Sequence, residues 1–240
     1  MMHACRAALL PVAGALFAIL AAIMATPPPA VAAEDVDLLL VLAADVSRSV
    51  DQPKFQLQRE GYAAALSNAR VLEAIMSGPN RRIAVCFVEW SGQGNQKLVI
   101  DWTMISDEKS ARAFGDQLAE APRSFADRTS ISGGLEFSMV QFTRAPFSSK
   151  RRTIDVSGDG TNNSGNDVML VRDQIVKEGV TINGLVILSE RPLPWNPEHT
   201  NPPGGLGEYY RNNVIGGPGA FVMVAENHAA FGQAIIKKMI

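Results

Sequence analysis

Residues 36–44, VDLLLVLAA, are apolar at every position but one and stop abruptly at Asp45. A run of that kind marks a strand buried on both faces rather than one with a wet side. From Phe55 the spacing changes: Phe55, Tyr62, Leu66, Ala69, Leu72 and Met76 recur at helical intervals, and SGPN at 77–80 ends that helix. RRIAVCFVEW (81–90) and KLVIDWTMI (97–105) read as two strands, with SGQGN between them as the turn of a hairpin at a sheet edge. SDEKSARAFGDQLAEAP (106–122) reads as a helix with Ser106 as its N-cap and acids in its first turn.

A short loop holding Asp127, Arg128 and Thr129 then leads into a helix over SISGGLEFSMVQFTRA (130–145). The strand RRTIDVSGD (151–159), the loop GTNNSG, a helix from about Asn166 and the strand VTINGLVIL (180–188) follow. Residues 189–204 hold five prolines, which excludes both helix and central strand. A short helix around GEYYRNN, the strand AFVMVAE and a terminal helix over 227–240 complete the chain, and no internal repeat is present. Strands alternating with helices imply a mostly parallel sheet covered on both faces, with one antiparallel edge strand contributed by the hairpin. Ligands of such sheets sit at the carboxyl ends of the strands, which directs attention to the loops after residues 44, 157 and 188.

Composition narrows this picture. With 240 residues, 47% of them hydrophobic and 19% charged, the chain has the makings of one globular domain with a substantial core. Residues 1–33 read as an export signal: one positive charge in Met1–Arg6, an apolar stretch over 7–25, and small residues around Ala30–Ala33 for cleavage. The alternative is a retained membrane anchor, but Pro11, Gly14 and the three prolines at 27–29 break the pattern. The expectation is therefore an exported domain over 34–240, periplasmic or secreted, with no stable membrane span once the signal is cleaved. Removing the leader takes away Arg6 and no acid, so the net charge moves from −2 to −3. An acidic balance without a basic stripe excludes a nucleic-acid partner. Cys86 is then left without a second cysteine and reads as a small core residue.

The chemistry concentrates where the first strand ends. Asp45, Ser47 and Ser49 place three oxygens at alternate positions in DVSRS, whereas the following helix is already capped by Asp51 ahead of Pro53. Alternate residues leaving a strand point the same way, so the two hydroxyls suit one hard cation with Asp45 supplying charge. Mg²⁺ demands six oxygens in near-octahedral array, so other loops must contribute.

DxSxS in that position, with Thr129 before the SISGGL helix and Asp159 ending the strand IDVSGD, resembles the metal-ion-dependent adhesion site of von Willebrand factor type A domains. The resemblance extends over about residues 35–240; RRTIDVSGDGTNN, TINGLVIL and YYRNNVIGGPGAF are similar to an exported bacterial family of unknown function within that superfamily. It implies a Rossmann-like three-layer α/β sandwich and a site in which Ser47 and Ser49 bind the metal directly. It further implies Thr129 bound directly or through water, and Asp45 and Asp159 mainly through water. The ion would be Mg²⁺ or Mn²⁺, with Ca²⁺ open, and a protein or peptide ligand offering Asp or Glu would complete the shell. The departures are Asp155 within the strand, read as a satisfied buried carboxylate, and Asn162–Asn163 after the site aspartate.

Two other readings stay open at this point. GDGTNNSGND resembles the acidic loop of haloacid-dehalogenase-like phosphatases, but a Mg-dependent hydrolase of that type needs a second carboxylate two residues past Asp45, where Ser47 stands. A structural domain whose metal only stabilises the loops is the other. His199 and His228 are too scattered for a triad and read as surface residues. GGPGAF at 216–221 precedes a strand and reads as a tight turn, not a phosphate loop. The Pro-rich segment leaves a strand on the face of the site, and Trp195, Glu198 and His199 are its candidate contributors to a partner surface.

Overall fold

A computed structural model describes residues 33–189 and 193–240. The leader expected over 1–33 lies outside them but for Ala33. In chain order the elements are β1 (Glu34–Asp35), β2 (Leu39–Asp45), α1 (Gln52–Leu66), α2 (Ala69–Met76), β3 (Ile83–Trp90) and β4 (Gln96–Ile105). They continue with α3 (Glu108–Glu120), α4 (Ile131–Thr143), β5 (Phe147–Ser148), β6 (Arg152–Gly158), α5 (Val168–Lys177) and β7 (Thr181–Ile187). The last are α6 (Pro197–Thr200), α7 (Leu206–Asn213), β8 (Val222–Ala225), a 3-10 turn (His228–Ala230) and α8 (Phe231–Met239).

Among the described residues six strands form one sheet in the order β4-β3-β2-β6-β7-β8, parallel throughout except for the antiparallel β3–β4 edge pair. This is a three-layer α/β sandwich of the type expected. β2 is central and wholly buried, which is why its sequence lacks a polar face. Leu39, Val41 and Ala43 pack with Ile131 and Leu135 of α4 and Val171 of α5, while Leu40, Leu42 and Ala44 pack with Tyr62 of α1, Phe114 of α3 and Phe231 of α8. The chain runs outward from β2 through β3 and β4, then crosses back to β6 on the other side. The crevice between the carboxyl ends of β2 and β6 is therefore the topological switch point, the place where such sheets take ligands.

Local departures from the sequence reading have identifiable causes. The helix expected through 55–76 is two, because Asn68 turns extended and its side chain accepts from Arg70 N at 3.0 Å, capping a new start. α3 is capped by Asp107 rather than Ser106: Asp107 Oδ1 accepts from Ser110 N at 2.7 Å, and the Ser110 hydroxyl accepts from Asp107 N at 3.1 Å. The Pro-rich segment contains the short helix α6, with Pro197 in its first turn where the missing N–H costs nothing. His228 is buried at 6% exposure, not on the surface; burial, then the Lys54 charge, brings its imidazole down to about 4. The small parallel pair β1–β5 was not legible as strand.

Asp51 does cap α1, accepting from Lys54 N at 3.0 Å. Cys86 is buried in β3 and its thiol is pushed up by desolvation. Asp155 is a satisfied buried carboxylate, paired with Lys238 of α8. No described helix is long and apolar enough to cross a membrane.

Candidate metal centre

The loop after β2 is held from both sides before its side chains do anything. Asp45 Oδ1 accepts from Ser47 N at 2.7 Å, closing the turn. Arg123 donates to the carbonyls of Val46 and Ser47 at 2.6 and 2.8 Å, and Lys54 donates to that of Ser49 at 2.8 Å. With its carbonyls occupied, the loop presents hydroxyls. Ser47 Oγ and Ser49 Oγ face each other at 3.1 Å, and Ser49 Oγ donates to Asp159 Oδ1 at 2.5 Å. Asp159 follows β6 immediately, so the parallel β2–β6 pairing brings it to the Asp45 loop. Asp45, Ser47, Ser49 and Asp159 thus form one connected cluster.

That cluster is electrostatically incomplete. Asp45 Oδ2 and Asp159 Oδ2 are both buried and have no hydrogen-bond partner among the described residues. Burial, and then the charge of Asp159, pushes the Asp45 carboxyl up to about 8. Burial also raises Asp159, against the bond from Ser49 and the Lys54 charge. Orphaned carboxylate oxygens out of water call for a proton or a cation.

Thr129 is buried just ahead of α4. Its backbone is zipped to the loop after β6: Thr129 N donates to Asn163 Oδ1 at 3.0 Å, and Thr129 O accepts from Asn163 N at 2.9 Å. Asn162 Oδ1 accepts from Ser132 N at 3.2 Å, bracing the first turn of α4 against the same loop. Among the described residues the Thr129 hydroxyl is bonded to His199 Nε2 at 3.2 Å rather than to the two serines or Asp159. Thr129 meets the cluster through a shared pocket of about 210 Å³, which it lines together with Ser49, Asn163 and His199, with Arg48, Arg128 and Trp195 also in its wall.

His199 was expected at the surface and is instead buried, at 5% exposure, because the Pro-rich segment folds inward at α6. The signal available in the sequence was Gly160: a residue without a side chain directly after a site aspartate leaves room for a ring, and a Cβ at Gly160 would overlap the His199 imidazole. Trp195, by contrast, is 79% exposed.

Two carboxylates and three hydroxyls are oxygen donors suited to a hard cation, and among the described residues no three His, Cys, Asp or Glu side chains gather into a softer metal site. The residues present therefore fit a divalent metal ion.

A family described as "Protein of unknown function (DUF1194)" matches residues 35–240. No curated protein matches the sequence. Among solved structures, proximal thread matrix protein 1 from the mussel byssus superposes with a TM-score of 0.59 at 13% identity, covering 86% of this chain and 48% of its own. A second structure of that protein, described as having a zinc-occupied MIDAS motif, superposes at 0.58 with 15% identity and the same coverage of 86% and 48%. A von Willebrand factor type A protein from Catenulispora acidiphila superposes at 0.56 with 14% identity, over 85% of this chain and 42% of that one. The pilus adhesin SpaC from Lactobacillus rhamnosus GG superposes at 0.61 with 12% identity, over 85% and 30%. At these identities the likeness is one of fold, which is that of a von Willebrand type A domain. The chain spans less than half the length of each of these structures.

Proposed function

This chain belongs to the DUF1194 family, and on that premise we propose that it is an exported adhesion-type domain, not an enzyme, that binds a protein or peptide partner through a divalent metal ion. Ser47, Ser49 and Thr129 would hold the ion by their hydroxyls, with Asp45 and Asp159 supplying negative charge from behind. The observation that carries this reading is the pair of buried oxygens, Asp45 Oδ2 and Asp159 Oδ2, that lack a hydrogen-bond partner among the described residues, beside facing hydroxyls at the switch point of the sheet. Bound there, Mg²⁺ or Mn²⁺ would supply an electrophilic centre able to take a carboxylate from the partner, Asp or Glu; Ca²⁺ is the third option.

The chain's own residues do the rest. Arg123 and Lys54 fix the loop backbone so that the two seryl hydroxyls stay on one side. Arg48 and Arg128 line the adjoining pocket and favour an acidic partner, since Arg48 is largely exposed and only loosely paired with Asp127 at 3.9 Å. Trp195 offers an aromatic contact beside it. Export rests on the leader at 1–33, with the domain over 34–240 released to the periplasm or medium.

Calorimetric titration with Mg²⁺ tests the site. Binding by the native protein and its loss in Asp45→Ala and Asp159→Ala, both still folded, is the expected result; unchanged affinity in both variants overturns the assignment. Capture from the native envelope fraction with and without EDTA tests the partner, which is expected only in the absence of chelator. Retention of the same partner in EDTA would remove the metal from the recognition.

A further inference from the structure

His199 touches more of the site than any sequence feature announces. Its ring nitrogens reach three side chains on two other loops: Nε2 stands 3.2 Å from Thr129 Oγ1, and Nδ1 stands 3.2 Å from Thr161 Oγ1 and 3.4 Å from Asn163 Nδ2. Its own carbonyl accepts from Thr161 N at 2.8 Å, so ring and backbone are both engaged.

The neighbours determine which nitrogen carries the proton. Asn163 Oδ1 accepts from Thr129 N, which fixes the amide so that Nδ2, a donor, faces the ring. Nδ1 must then accept, and the imidazole is neutral with its proton on Nε2. Nε2–H therefore donates to Thr129 Oγ1. A hydroxyl oxygen has two lone pairs, so this bond engages one, fixes the side-chain rotamer and leaves the other for a cation. Gly160, next to Asp159, supplies the space in which the ring sits.

A histidine that only filled the core would not need a bond to the one expected site hydroxyl that stands outside the Asp45–Ser47–Ser49–Asp159 cluster. We infer that His199 is a positioning residue that sets the Thr129 hydroxyl for the metal ion and thereby ties the Pro-rich segment 193–205, with its exposed Trp195, to the occupancy of the site. The inference rests on the metal-binding reading above. It makes the segment that faces a partner mechanically answerable to the ion.

The test is a double-mutant cycle on the full chain, read as Mg²⁺ affinity by calorimetry. His199→Phe fills the ring space without a donor, and His199→Leu replaces it should the aromatic variant fail to fold; His199→Gln keeps a donor at similar reach. The expected result is a loss of roughly 10–100-fold in His199→Phe, the usual effect of removing a residue that orients a metal ligand. His199→Gln should restore most of it, and the loss should vanish in a Thr129→Val background. Mg²⁺ should also slow amide exchange across 193–205 in the native protein and not in His199→Phe. An equal loss with and without Thr129, or native affinity in the Phe and Leu variants, overturns the inference while leaving the metal site intact. If the native protein binds no Mg²⁺, or Asp159→Ala binds as tightly, the metal reading itself falls and the inference with it.

Discussion

Ser49 and Asp159 lie 110 residues apart in the chain and 2.5 Å apart in the fold, the seryl hydroxyl donating to a carboxylate whose other oxygen is buried without a partner among the described residues. One hydroxyl thus hydrogen-bonds the β2 loop to the residue that follows β6. The carboxylate has capacity for more than it receives, which is what the proposed metal ion would use.

Ser49→Ala should expose how much that connection does. Removing a hydrogen bond to a charged acceptor costs about 1.5–3 kcal/mol, so the variant should unfold at lower urea than the native protein in EDTA. It should also bind Mg²⁺ at least tenfold more weakly by calorimetry. Native behaviour in both measurements would mean that Ser49 is merely near the site.

The metal-free protein should lose stability as pH rises. An aspartyl carboxyl titrates near pH 4 in an unfolded chain, at about 3.9, whereas burial and Asp159 hold the Asp45 carboxyl at about 8 in the fold. Between those values the folded state keeps a proton that the unfolded state releases, so stability falls with pH across that window and levels off above it. Melting temperatures in EDTA should decline over this range for the native protein and much less for Asp45→Asn, and saturating Mg²⁺ should flatten the native curve. Parallel curves for the two proteins in EDTA would refute the assignment.

Lys238 and Asp155 form an ion pair with side-chain exposures of 1% and 8%, joining α8 to β6 on the same strand that ends at the site. Removing one partner leaves a buried charge alone, and Lys238→Ala should cost about 3–5 kcal/mol in urea unfolding. Replacing both, as Lys238→Met with Asp155→Leu, should recover much of the loss. If the double variant is as unstable as the single one, the pair is not the source of the effect.

Trp195 should separate partner from ion. It is 79% exposed, beside the pocket that Ser49 and Thr129 line. Trp195→Ala should weaken capture of the chelator-sensitive partner at least tenfold, as loss of an aromatic anchor does, while Mg²⁺ affinity stays at the native value. Undiminished capture would place the partner elsewhere on the domain.

The fold was largely readable from the sequence because its strands are buried on both faces and its helices are short and periodic. VDLLLVLAA announces a central parallel strand, and SGQGN between two apolar runs announces the antiparallel edge. Four of the five expected site residues then come together in one cluster simply because β2 and β6 are neighbours in register. Thr129 was legible as a loop residue but not as one held by His199, since that contact depends on a proline-rich segment turning inward, which no local periodicity encodes. Asn68 and Asp107 were missed as caps because a cap is decided by the conformation of a single residue, whereas apolar spacing reports only the average course of a helix.

The strand order also governs how the chain is made. β2 gains its first neighbour from the β3–β4 hairpin, but β6, which covers its other edge, is synthesised about 110 residues later, a delay of roughly 5–20 s at ribosomal rates of about 5–20 residues per second. During that interval an apolar strand waits with one row of amides and carbonyls open, so the nascent polypeptide is most exposed to wrong strand pairing before β6 emerges.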